Sequence, residues 1–152
     1  ATPLQVAASY AGIANDGAVM RPHVLKEVLD TKGASASAFE SQVAFSPDVT
    51  ATNLAVMQRS LVDVTKEGTA KGAFASFGVT VAGKTGTAQV AKKDDYAWFV
   101  GYAPANEPRY AVVVAIEQGG HGGSVAGPAA RDILAALLGE PIKHVRAVDV
   151  SR

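Results

Sequence analysis

Lys84, Thr85, Gly86 and Thr87 are the residues whose types and spacing could do chemistry together. Lys84 supplies a compact cation, and Thr85 and Thr87 supply hydroxyls that can donate or accept. Gly86 and the nearby Gly83 let a ligand or another backbone come close. Together they make a short, basic, donor-rich rail suited to a carboxylate or to an oxyanion developing in a reaction. Set against this is a plain glycine-containing edge strand with an exposed lysine. Three or four residues are a weak motif, so the weight falls on their surroundings.

Such a rail needs extended backbone. Val79 to Val90 reads VTVAGKTGTAQV and predicts a strand that leaves one edge or face bare. Lys92-Lys93-Asp94-Asp95 predicts a charged hairpin turn, Tyr96 to Tyr102 a second strand, and Pro104 to Pro108 another turn. Tyr110 to Glu117 predicts a third strand, apolar enough in AVVVAI to expect burial on both faces. Three strands joined by short loops make an antiparallel meander.

Helices must flank that sheet. Thr2 is placed to cap the first, with Pro3 in the first helical position and Gln5 as capping-box partner. Leu4, Ala7, Ala8, Ala11 and Ala14 form its expected inner face, and Gly17 closes it after the Asn15-Asp16-Gly17 turn. Met20 to Leu29 and Ala34 to Phe45 predict a peripheral hairpin about Asp30 to Gly33, with a mobile Ala/Ser stretch over 33–38. Ser46 and Pro47 predict the start of a second helix, with Val49, Leu54, Met57, Leu61 and Val64 inward and Gln58, Arg59 and Asp63 on its wet side. It should end before Gly68. The loop Gly68 to Gly72 lacks the spacing of a phosphate loop, and Gly72 to Gly78 links it to the central strand. Gly119 to Gly123 reads as a flexible connection. A last helix begins between Ser124 and Pro128, with Ile133, Leu134, Leu137 and Leu138 as its apolar face and Gly139 and Pro141 at its end.

Composition narrows the function classes. The 152 residues make one domain or part of one, and 48% apolar content suits a globular core. Fourteen basic against fourteen acidic residues, without a basic tract, argue against nucleic acid as a partner. No apolar run approaches membrane-spanning length, and the N-terminus lacks the basic flank of a signal peptide. A chain opening on Ala1 without an initiator methionine is expected to be a piece of a longer one. There is no cysteine, and His23, His121 and His144 lack metal-ligand spacing, so neither metal nor cofactor is expected.

The order of segments resembles a known family. Thr-Pro-Leu-Gln is followed by a Ser-Pro helix start, Gly-Thr-Ala, Lys-Thr-Gly-Thr-Ala-Gln, Ala-Trp-Phe-Val-Gly-Tyr-Ala-Pro, a Val-rich strand, a Gly-rich loop and a closing helix. This is similar to the C-terminal part of the transpeptidase domain of a class B, monofunctional penicillin-binding protein. The resemblance covers residues 2–139, so 1–139 is expected to be that portion and 140–152 a tail. It implies a parent enzyme of cell elongation or division that cross-links D-Ala-D-Ala stem peptides through a serine acyl-enzyme and that β-lactams block. It also implies a membrane anchor and a site on the extracytoplasmic face. Position by position, Lys84 would join the polar network beside the nucleophile, and the Thr85 and Thr87 hydroxyls would hold the substrate carboxylate. The Thr87 N–H would be an oxyanion donor, Gly86 would leave room for the acyl chain, and Gln89 lies just past the site. Trp98, Phe99 and Tyr102 are expected to pack, and His121 to sit on a surface loop or at the rim of the site.

The departures matter equally. No Ser or Thr has Lys three positions on, and no Ser-x-Asn occurs. The family's nucleophile and general base belong upstream of this stretch, so this chain alone should not form an acyl-enzyme. The expected fold is α+β: an antiparallel meander supplying three strands of a larger five-stranded sheet, with flanking helices, as an incomplete penicillin-binding transpeptidase or serine β-lactamase-like fold. The free edge of the Tyr110–Glu117 strand should then be paired by the missing half of the domain or by another chain. A β-lactam sensor or β-lactamase relative, and a non-catalytic interaction module, are the alternatives.

Overall fold

The computed structural model describes residues 1–142. The expected 140–152 tail lies almost wholly outside them. A three-stranded antiparallel sheet, in the order β5-β6-β7, is built from β5 (Ala82–Ala88), β6 (Tyr96–Ala103) and β7 (Tyr110–Ile116). Its two faces carry separate apolar clusters. On one, Phe99, Ala97, Ala103 and Val112 meet the one-turn helix α3 (Lys71–Phe74) and the closing helix α4 (Ala126–Leu138). On the other, Ala82 and Tyr102 meet α1 (Pro3–Ala14) and α2 (Ala51–Lys66), through Tyr10, Ile13 and Leu61. This is the expected α+β meander with flanking helices.

The first helix begins as its sequence requires. Thr2 Oγ1 accepts from the Gln5 N–H, and the Gln5 side chain accepts from the Thr2 N–H at 2.8 Å. Its inner face differs in part from expectation: Ala14 meets the second cluster as expected, but so do Tyr10 and Ile13, Gly12 is buried, and Leu4 is 62% exposed. A Cβ on Gly12 would stand 2.5 Å from Val19 Cγ2, so the helix is held closely against the chain that leaves it. The hairpin is present but broken into two short ladders, β1 (Val19–Met20) with β4 (Val43–Phe45) and β2 (Glu27–Leu29) with β3 (Ser35–Ala38). Nearly all of it is exposed, as a peripheral arm should be.

The second helix starts later than Ser46-Pro47 suggests. Thr50 is the N-cap and accepts from the Asn53 N–H at 3.3 Å. Two cap signals four residues apart compete, and the one adjoining the uninterrupted helical stretch prevails. Leu61 and Val64 point inward as expected, but Val49 and Met57 do not, and Gln58 is not on the wet side. Its Nε2 donates to the Ile13 carbonyl at 2.8 Å and ties α2 to α1. Thr65 is buried and its hydroxyl donates to the Val81 carbonyl at 2.6 Å, fixing α2 to the approach of β5.

Three further expectations are corrected. The link from Gly72 to Gly78 begins inside α3, which runs from Lys71 to Phe74. The inner face of α4 is Ala126, Ala130 and Leu134, while Ile133 and Leu137 are 44% and 45% exposed. Small residues allow a closer helix-to-sheet approach than leucines do, and Gly139 ends the helix at φ +74°. In β7 Val112 alone is buried; its neighbours are half-buried or exposed. It is one of the two edge strands of this sheet, and α1 and α4 cover its faces incompletely. Among the described residues this sheet has three strands.

Burial, with the Asp16 carboxylate adding to it, raises the Tyr102 hydroxyl above its ordinary value near 10, and burial also raises Tyr10. The unfolded chain then releases these protons first. The stability is complete below about pH 10 and is lost as pH rises through the folded values. Thermal unfolding midpoints should be level from pH 7 to 9 and fall above pH 10, with a shallower fall in Tyr102→Phe.

Candidate active site

Strand alternation divides the Lys-Thr-Gly-Thr stretch between two faces. Thr85 pairs with Phe99 and Thr87 with Ala97, both on the α3/α4 side. Lys84 shares its face with Ala82 and, across the ladder, with Val100, on the α1/α2 side. The four residues are therefore not one rail. Lys84 is exposed, and its Nζ donates to the Thr85 carbonyl at 2.9 Å.

A groove of about 480 Å³ lies on the hydroxyl side. Thr85 and Thr87 form one wall, Thr69 and Gly72 a second, and His121 to Ser124 the third. Thr69 and Thr85 are joined hydroxyl to hydroxyl at 2.6 Å. The Gly-rich segment is not the flexible connection its composition suggests. A Cβ on Gly122 would collide with the backbone of Gly86 and Trp98, and one on Gly123 would collide with the Thr69 carbonyl. Val125 and Gly127 N–H donate back to the carbonyls of His121 and Gly122 at 3.1 and 2.8 Å, so the segment is folded into the start of α4.

Of the residues singled out from sequence, Thr85 and Thr87 meet in the groove, and Gly86 is the point where Gly122 rests. Lys84 and Gln89 do not line it, although both are exposed. His121 takes the rim position. Phe99 and Tyr102 are fully buried, as packing residues should be. Trp98 lies on the Lys84 face, half-buried, and its indole N–H is buried without a hydrogen-bond partner among the described residues. Sequence reasoning missed Thr69 and Ser124 as groove residues. The signal for Thr69 was there in Gly-Thr-Ala, but only folding brings it beside Thr85. Among the described residues no group of His, Asp and Glu could hold a metal.

The arrangement is an α+β domain that offers two threonine hydroxyls to an acceptor such as a carboxylate, beside a strand bearing a lysine. The chain belongs to the penicillin-binding protein transpeptidase family: the family model described as the penicillin binding protein transpeptidase domain matches residues 1–135. The peptidoglycan D,D-transpeptidase MrdA of Haemophilus influenzae is 34% identical over 99% of this chain and 26% of its own length. PbpA of Mycolicibacterium smegmatis, also a peptidoglycan D,D-transpeptidase, is 38% identical over 91% of this chain and 30% of its own. Penicillin-binding protein A of M. tuberculosis, solved as a ceftriaxone acyl-enzyme complex, superposes with a TM-score of 0.82 at 32% identity, over 90% of this chain and 32% of that one. The chain thus spans about a quarter to a third of the length of the relatives it matches.

Gly122→Ala should destabilise the fold by roughly 1–3 kcal/mol, because its methyl would meet backbone rather than movable side chain. Gly72→Ala has open space around it in α3 and should be neutral or stabilising by under about 1 kcal/mol. Denaturant titration of the two variants checks the contrast.

Proposed function

We propose that residues 1–139 are the C-terminal portion of the transpeptidase domain of a class B peptidoglycan D,D-transpeptidase. The observation that carries this reading is the groove in which Thr85 and Thr87, inside the family's Lys-Thr-Gly-Thr segment, present two hydroxyls. In the full-length protein a serine outside this sequence attacks the carbonyl of the penultimate D-alanine. The terminal D-alanine leaves with a proton, and an ester joins the stem peptide to the serine. An amine of a second stem then attacks that ester, the serine oxygen departs and regains its proton, and a cross-link remains. A β-lactam opens its ring on the same serine and stays attached; penicillin-binding protein A of M. tuberculosis has been solved as acyl-enzyme complexes with ceftriaxone, imipenem and penicillin G.

In this scheme the Thr85 and Thr87 hydroxyls receive the substrate or antibiotic carboxylate. The Thr87 N–H is one of the oxyanion donors, a contribution of about 3 kcal/mol to the transition state. Gly86 keeps the strand bare so that the acyl chain can lie along it, and Gln89 borders the exit. Lys84 works from the other face, where its ammonium favours an anionic ligand and joins the polar network beside the nucleophile. The upstream half of the domain supplies the strands bordering β7. No described helix is long and apolar enough to cross a membrane. We assign the anchor to the parent protein and its active domain to the extracytoplasmic side, by analogy with the relatives.

Fluorescent penicillin should label the full-length protein at one serine and leave residues 1–152 alone unlabelled. Labelling of the isolated chain would overturn the division of roles. In the full-length protein, Thr85→Val should slow acylation by a carboxylate-bearing β-lactam about tenfold or more, the size of one hydrogen bond to a charged group. An unchanged acylation rate would remove Thr85 from the carboxylate site.

A further inference from the structure

We propose that Thr69 is a positioning residue that sets the donor direction of the Thr85 hydroxyl, and with it the preference of the groove for carboxylate-bearing ligands. The proposal rests on the reading of the groove given above. The two hydroxyl oxygens are 2.6 Å apart, within the range of a strong O–H···O bond. Each hydroxyl owns one proton and two lone pairs. When Thr69 donates to Thr85, the Thr85 proton is left to be given away. A carboxylate in the groove only accepts, so it selects that order, from Thr69 through Thr85 to the anion. Hydrogen bonds in such a chain polarise one another in the same sense. Without the Thr69 hydroxyl, the Thr85 rotor has no fixed acceptor role and its proton is not directed.

Thr69 is also held where this requires. Its carbonyl is met by Gly123 so closely that no Cβ would fit there. The next residue, Ala70, is fully buried and its N–H donates to the Val64 carbonyl at the end of α2 at 3.1 Å. Lys71 N–H donates to the Gly68 carbonyl at 3.0 Å, closing the turn around Thr69. The backbone is thus clamped between α2 and the start of α4, and the side chain faces the groove. Threonine suits the task better than serine, because its branched Cβ limits χ1.

The test uses the full-length protein and two probes, a penicillin and its methyl ester, which lacks the free carboxylate. The rate of acylation by each is measured for wild type, Thr69→Val, Thr69→Ser, Thr85→Val and the Thr69→Val/Thr85→Val double variant. Thr69→Val should slow the penicillin roughly five- to tenfold, about one net hydrogen bond, and change the ester less than about twofold. Thr69→Ser should recover most of the loss, and the double variant should be no slower than Thr85→Val alone. If Thr69→Val slows penicillin and ester equally, or neither, while Thr85→Val still lowers the penicillin-to-ester ratio, the relay is overturned and the carboxylate site stands. If Thr85→Val leaves that ratio unchanged, both fall. Should Thr69→Val not fold, Thr69→Ala against Thr69→Ser gives the same comparison.

Discussion

The groove exists because backbones meet more closely than side chains would allow. Gly122 lies on the peptide of Gly86 and beside that of Trp98, and Gly123 lies on the carbonyl of Thr69. These approaches draw three segments distant in sequence into one small volume: the loop before α3, the middle of β5 and the entry to α4. Elsewhere in the sheet Gly101 serves the same end, since a Cβ there would stand 2.5 Å from the Ala82 carbonyl oxygen. Glycine gives up conformational entropy on folding, and here proximity is what is gained in return.

The helices follow the same logic of small residues. Ala126, Gly127 and Ala130 bring α4 down on the sheet, and a Cβ on Gly127 would come within 3.1 Å of Ala73. Arg131 is 3% exposed in the middle of this packing. Its guanidinium pairs with Asp132 at 2.5 Å and reaches the Ala73 carbonyl at 3.5 Å. A buried guanidinium carries a desolvation cost of several kcal/mol that its partners must offset. The contact with the Ala73 carbonyl links the setting of α3 to that of α4. Because Ala73 lines the groove, that setting also fixes the floor under Thr69 and Thr85.

One strand consequently serves two compartments. Thr85 and Thr87 face the groove under α4, while Lys84 and Trp98 look toward the side covered by α1 and α2. The peptide plane of β5 separates the lysine charge from the hydroxyls, and the Lys84 ammonium is turned back onto the Thr85 carbonyl. A ligand lying along the edge of β5 can touch both sides at once, which a ligand lying on either face could not.

Much of this chain is legible from local chemistry. The Thr2–Gln5 capping box, the meander, the αL glycine at 139 and the hydroxyls of the Lys-Thr-Gly-Thr segment each depend on a few adjacent residues, so the sequence by itself determines them. Periodicity placed Ala14, Leu134 and Leu138 correctly but put Leu4, Ile133 and Leu137 inward and passed over Gly12, Ala126 and Ala130, because small-residue packing leaves almost no hydropathy signal. It also made Gly119 to Gly123 look loose, since composition cannot tell a glycine kept for freedom from one kept for contact. Tertiary structure alone decided that Lys84 and the threonines part company across β5, that Gln58 turns inward, and that Thr69 meets Thr85. Those outcomes depend on how elements far apart in the chain are set against one another at ångström precision, and a linear order of residue types does not carry that information.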